Sequence, residues 1–156
     1  MNLINTVTDA ADKPLVFHYA KRKPIVVVKQ VGRFLYTSGH GPENQITGVP
    51  LYNGRIGEDL TPEQGYAAAR ECAIILLGAL RDHLGSLERI KTLVKATALI
   101  NVAHDFDELD GVMDGFSDLM ADVLQERGYH ARTIMGTHNL PNGNIPIEIE
   151  LIAEIE

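Results

Sequence analysis

Ile145-Pro146-Ile147-Glu148-Ile149-Glu150-Leu151-Ile152-Ala153-Glu154-Ile155 places an apolar residue at every odd position. A period of two is the period of a strand, whose successive side chains leave opposite faces. The odd face belongs against a core. The even face carries Pro146, Glu148, Glu150, Ile152 and Glu154, and its carboxylates would suit water. Immediately upstream, Pro141-Asn142-Gly143-Asn144 reads as a turn and Arg132 to Leu140 as a further strand.

Two helical patterns lie further upstream. Thr61 can cap, Pro62 suits a first helical position and Gln64 can close a capping box. Tyr66, Ala69, Ala73, Leu76, Leu77, Leu80 and Leu84 then recur at helical spacing until Gly85. Asp105 and Glu108 offer a second capping box. It leads into the stripe Phe106, Leu109, Met113, Phe116, Met120, Val123 and Leu124, with Gly128 as the stop. Between the helices, Leu93 to Val102 alternates, with Val94, Ala96, Ala98 and Ile100 on one face. Near the start, the β-branched run Ile25 to Val28, ending near Gly32, pairs naturally with Phe34 to Ser38 as a hairpin, and Gly39-His40-Gly41-Pro42 ends it. The stretch 43–59 reads as loop, with Asn53-Gly54 as the turn of a short hairpin. The order strand-strand, helix, strand, helix, strand-strand predicts an α/β fold, a mixed sheet with two helices on one face.

Length and charge narrow the function. A chain of 156 residues fits one domain, 1–156, with 1–22 as an irregular N-terminal segment. No apolar run is long enough to cross a membrane and no export signal opens the sequence, so a cytoplasmic location is expected. One cysteine excludes an intramolecular disulfide. Cys72, on an apolar helix, reads as an inert core thiol. A net charge of −7 argues against nucleic acid, and Lys21-Arg22-Lys23 is the one dense basic cluster. The histidines lack zinc-site spacing, so no metal is expected.

The strands pose a further question. Val26 and Val28 alternate with Ile25 and Val27, and Leu99 opposes the Val94 set, so the sheet is apolar on both faces. Two helices cover one face, and the other needs a second chain. Pairing Leu140 with Ile145 across the turn would place Thr137 opposite Glu148 and Arg132 opposite Ala153. Arg132 and Glu148 would then stand roughly 17 Å apart along the ladder. They could serve one small ligand only across a subunit seam.

Gly32-Arg33-Phe34-Leu35-Tyr36-Thr37-Ser38-Gly39 resembles the hairpin of the YjgF/RidA family. His130-Ala131-Arg132-Thr133, then Leu140-Pro141, then Ile147-Glu148-Ile149-Glu150, resemble its "PARS…LP…IEIEA" signature. The resemblance runs from about Ile25 to Ile155. It implies a chorismate-mutase-like fold of the bacillary type, a homotrimer with a barrel-like core, and clefts between subunits. It further implies a 2-iminobutanoate/2-iminopropanoate deaminase-like hydrolase, which converts enamines and imines of amino-acid metabolism to 2-keto acids and ammonia without a cofactor. Arg132 would grip the carboxylate of a small metabolite, and Glu148 of the neighbouring chain would orient or deprotonate the attacking water. Ser38, Gly39, His40, His130 and Ile134 would line the cleft. Ile25 stands where the family carries a tyrosine, Ile134 where it carries a cysteine and His130 where it carries a proline, which marks a divergent subfamily. The alternatives are a non-catalytic regulator that binds small carboxylates in the same cleft, and an endoribonuclease or translation inhibitor, which the acidic balance disfavours.

Overall fold

A computed structural model describes residues 24–156. The N-terminal segment 1–22 and the basic cluster Lys21-Arg22-Lys23 lie outside the described residues. Five strands form one mixed sheet: β1 (Val28–Val31), β2 (Phe34–Thr37), β3 (Ile90–Asn101), β4 (Ala131–Thr137) and β5 (Ile147–Ile155), in the order β1-β2-β5-β3-β4. β3 and β4 are parallel, and every other pairing is antiparallel. Helices α1 (Pro62–Leu84) and α2 (Leu109–Leu124) cover one face. The α/β expectation is met.

The alternation of β5 holds in full. Ile147, Ile149, Leu151, Ala153 and Ile155 are buried and join Leu76, Leu77, Leu80, Phe116 and Met120 in the core. The capping box of α1 is formed: Gln64 N donates to Thr61 Oγ1 at 3.2 Å, and Thr61 N donates to Gln64 Oε1 at 2.9 Å. Gly85 ends α1 in the left-handed region at φ 80°, where a side chain would clash with its own carbonyl. Cys72 is fully buried in this core, and burial pushes its thiol pKa well above the ordinary value, as an inert thiol requires.

Four local expectations need correction. The first strand begins at Val28, later than the Ile25 run, because Val26 and Val27 give their carbonyls to Ser38 instead of a ladder. The second capping box is absent: α2 starts at Leu109 with no side-chain cap, and Phe106 N bonds back to Ala103 O in a turn. Asn53-Gly54 makes no hairpin. Gly54 N donates instead to Asn144 O, across the molecule. In β3, a register shift between Leu93 and Lys95 inserts one extra residue, so Leu93 points inward at 3% exposure and Val94 outward at 38%.

The largest correction is topological. No hairpin joins β4 to β5, because β3 lies between them, with Leu99 paired to both Met135 and Glu148. The chain reverses through Pro141–Asn144, where Asn142, Gly143 and Asn144 all have positive φ. This conformation aims β5 past the neighbouring position. Asn101, fully buried at the end of β3, secures the reversal by donating from Nδ2 to Asn144 Oδ1 at 2.8 Å.

Leu77→Ala is expected to remove about 2–5 kcal/mol of stability, since Leu77 is fully buried between helix and sheet. Urea unfolding of the purified variant measures it. A loss below about 1 kcal/mol would show that this core is not the stabilising one.

Candidate functional site

The sheet presents two chemically distinct clusters, one on its uncovered face and one against α2. At one end, β2 runs on past Thr37 and re-pairs with β5. His40 N donates to Ile149 O at 2.9 Å and Ile149 N donates to His40 O at 3.0 Å. This bridge lays Gly39 flat on the side chain of Glu148. A Cβ at Gly39 would stand 2.9 Å from Glu148 Cγ and Cδ, and closer still to Oε1. Only glycine allows the carboxyl to lie against the backbone there. Ser38 anchors the same turn, its Oγ donating to Val26 O at 2.7 Å.

Glu148 is partly buried. Loss of water and the nearby charges of Glu43 and Glu150 push its pKa above the usual carboxylate value. Glu43 is held in place by Asn142 Nδ2 at 2.9 Å. The His40 ring is buried, and its Nδ1 stands 2.7 Å from Ser38 O. A carbonyl only accepts, so Nδ1 carries the proton, and burial keeps the ring neutral near pH 7. Ser38, Gly39, His40 and Glu148 are therefore brought together within one chain.

Arg132 and His130 belong to a second cluster. Arg132 pairs with Ala96 of β3, whose side chain is in the core, so Arg132 leaves the sheet on the helix face. Glu148 leaves it on the open face, two strands away and three residues further along. The two backbones stand roughly 14 Å apart. The β4–β5 hairpin register does not form, yet its consequence holds: within one chain these two groups do not meet.

The guanidinium of Arg132 is held by its own chain. NH1 donates to Asp114 Oδ1 at 2.8 Å and to Ser117 Oγ at 3.2 Å, and NH2 donates to Asp110 Oδ1 at 2.9 Å. The Asp110 side chain is 85% exposed and the weaker clamp, whereas Asp114 and Arg132 are more covered. Ile134, two residues along, packs against the core. The sequence reading missed Asp110, Asp114 and Ser117. Their spacing of four and three residues puts them on one helical face, a signal that was available but indistinguishable from a solvated stripe. Glu43 was also missed, and nothing local in the sequence marks it.

Among the described residues, no three His, Cys, Asp or Glu side chains converge as a metal site. No described helix is long and apolar enough to cross a membrane.

Comparison with known proteins agrees with this architecture. The family described as "YjgF/chorismate mutase-like, putative endoribonuclease" matches residues 19–155. Protein TCP17 of Trypanosoma cruzi is 36% identical over 125 residues, which covers 80% of this chain and 76% of that protein. A "putative endoribonuclease" from Shewanella oneidensis superposes with a TM-score of 0.84 at 32% identity, covering 94% of this chain and 95% of the other. Atu1372 of Agrobacterium tumefaciens, a protein of unknown function, superposes with a TM-score of 0.82 at 32% identity, covering 86% and 85%. Sheet order, helix placement and a match over nearly the whole length lead to one conclusion: the chain belongs to the YjgF/chorismate mutase-like family.

Proposed function

We propose that this protein hydrolyses small imines derived from 2-amino acids, in clefts built between two copies of the chain. The observation that carries this reading is Glu148, a partly buried carboxyl with a raised pKa, on a sheet face that a single chain leaves uncovered. That face carries Val31, Phe34, Tyr36, Val94 and Met135, all exposed and apolar. Exposed apolar side chains on an uncovered sheet face call for a covering partner, and a second copy supplies one. Assembly as a homotrimer would let Arg132 of one copy face Glu148 of the next.

The chemistry follows from the groups. An iminium carbon is already electrophilic and needs no cofactor. Arg132 holds the substrate carboxylate, to which its planar donors are suited. Glu148 takes a proton as water adds to the C=N carbon. The same carboxyl returns that proton to the carbinolamine nitrogen, and the C–N bond breaks as the hydroxyl proton passes to the departing ammonia. The products are a 2-keto acid and ammonia, so one water is consumed per imine. A carboxyl whose pKa is raised above its ordinary value is a stronger base than a free carboxylate, which favours taking and returning a proton.

A second reading is favoured by one observation, the ion pairs of Arg132 with Asp110 and Asp114. If these stay closed during turnover, the cleft is a carboxylate-binding regulator without catalysis. RNA cleavage is disfavoured by the net charge of −7, which repels a phosphate backbone.

Release of ammonia and 2-ketobutyrate from freshly generated 2-iminobutyrate separates the readings. Acceleration is expected in the native protein, loss in Arg132→Ala, and a fall of about 10²-fold or more in Glu148→Gln. No acceleration by a folded oligomer would overturn the hydrolase and leave the regulator. Sedimentation is expected at three times the 17.1 kDa chain mass, and a stable monomer would refute the shared cleft.

The acidic limb of kcat/KM tests the role of Glu148 as base. Ionised carboxylate is the active form, and its pKa is raised. Activity should therefore fall, as pH drops, at a point above the ordinary 4.5. A limb below that value would exclude Glu148.

Asp110→Asn tests the clamp. It removes an exposed competitor for the guanidinium, so 2-ketobutyrate should bind up to about fivefold more tightly in calorimetry. Weaker binding would make Asp110 a ligand-positioning group.

A further inference from the structure

His130 reaches the guanidinium of Arg132 indirectly. Its Nδ1 lies 2.7 Å from Gly128 O, and its Nε2 lies 3.2 Å from Ser117 Oγ. The carbonyl of Gly128 can only accept, so the proton sits on Nδ1. In the neutral ring Nε2 is then an acceptor, and Ser117 must donate its hydroxyl proton to it. This leaves the lone pairs of Ser117 Oγ for NH1 of Arg132, which stands 3.2 Å away and can only donate. Every donor in the chain from NH1 through the hydroxyl to the ring and on to Gly128 points the same way.

We propose that His130 and Ser117 are positioning residues for Arg132: the neutral imidazole turns the Ser117 hydroxyl so that its oxygen holds NH1 while NH2 stays available to a ligand carboxylate. The proposal rests on the reading of Arg132 as the carboxylate anchor. It gives a reason for His130 at a position where the family pattern has proline, whose ring offers no acceptor nitrogen.

Two further observations support the relay. The Phe116 ring meets the His130 ring edge-on, with centroids 5.5 Å apart and planes at 84°, which restrains the imidazole plane. The ring is also kept neutral: burial and the charge of Arg132 hold its pKa below the ordinary value. The charged groups around it are Arg132 on β4, Asp114 and Asp110 of α2 behind that guanidinium, and Arg127 on the preceding turn. Arg127 is directed away, donating to the carbonyls of Glu88 and Ile90. Among the described residues no carboxylate hydrogen-bonds to the imidazole nitrogens, and the one contact that favours the protonated form, Nδ1 with Gly128 O, is outweighed by burial.

The relay also explains the asymmetry of the clamp. NH1 has two partners, one of them a hydroxyl whose direction is set by a buried ring. NH2 has one, the exposed Asp110. A carboxylate ligand can displace Asp110 at small cost while NH1 stays in place. Without the hydroxyl, NH1 depends on Asp114 alone, and the whole guanidinium is free to turn.

The test combines kinetics with ring spectroscopy. Ser117→Ala is expected to raise KM for 2-iminobutyrate about tenfold with kcat changed by less than about threefold, the loss of one hydrogen bond to a charged group. His130→Asn keeps a donor for Gly128 but removes the acceptor at Nε2, and should raise KM by a smaller factor. The double variant should be no worse than Ser117→Ala alone, because both act through one hydroxyl. Additive effects, or a loss of kcat at unchanged KM, would overturn the relay. Nitrogen-15 NMR of the assembled protein near pH 7.5, assigned with His130→Asn, should show the neutral Nδ1–H tautomer with Nε2 shifted as an acceptor, and that shift should change in Ser117→Ala. An Nε2–H tautomer or a protonated ring would overturn it, whether or not the protein turns over an imine. If turnover is absent, calorimetric titration with 2-ketobutyrate replaces the KM series. Native-like binding by Arg132→Ala would instead sink the anchor reading itself, independently of the ring state.

Discussion

β5 lies between β2 and β3 and is hydrogen-bonded to both, and the rest of the molecule is arranged around that placement. A central strand cannot tilt one face away from its neighbours. Once its odd residues enter the core, Glu148, Glu150 and Glu154 must emerge together on the other face. Burying five aliphatic or small side chains outweighs any local preference of those carboxylates, at about 25 cal/mol for each Å² removed from water. The carboxylates make separate accommodations. Glu154 pairs with Arg33 and Lys91. Glu148 has no such partner among the described residues, lies against Gly39 and holds its proton more tightly. The raised pKa of Glu148 is thus a by-product of where β5 must sit.

Arg132 shows a different constraint. A guanidinium cannot discard its charge, so a partly covered one must be met by acceptors. α2 provides them from positions that share a helical face, and the network runs on through Ser117 to His130. The bonds to Asp110 and Asp114 compete with any carboxylate ligand, yet their exposure keeps that competition weak. The same pairs can act as a resting brace or as a permanent structural tie, and the magnitude of ligand binding decides between them.

Much of the architecture is legible locally. The α1 capping box, the glycine stop at Gly85 and the alternation of β5 are short-range patterns, set by repeat geometry and by single backbone conformations. The resemblance of two separate motifs named Ser38, Gly39 and Glu148 as cleft residues, and the fold sets them side by side within one chain. The errors share a cause. The extra residue at Val94 and the missing β4–β5 hairpin both concern how backbones align with one another. Backbone amides and carbonyls are the same for every residue, so side-chain periodicity carries no mark of which strand lies alongside.

By itself, then, the sequence determined the elements: two amphipathic helices, a strand with one face for the core, and the residue types able to bind a carboxylate and move a proton. Tertiary structure alone decided which of them meet. It inserted β3 between β4 and β5, turned Arg132 to the helix face and Glu148 to the open one, and gave Arg132 its partners on α2. The physical reason is range. Helix and strand periodicities arise from neighbours a few residues apart, whereas strand order and ion-pair choice depend on packing a whole sheet against two helices at once.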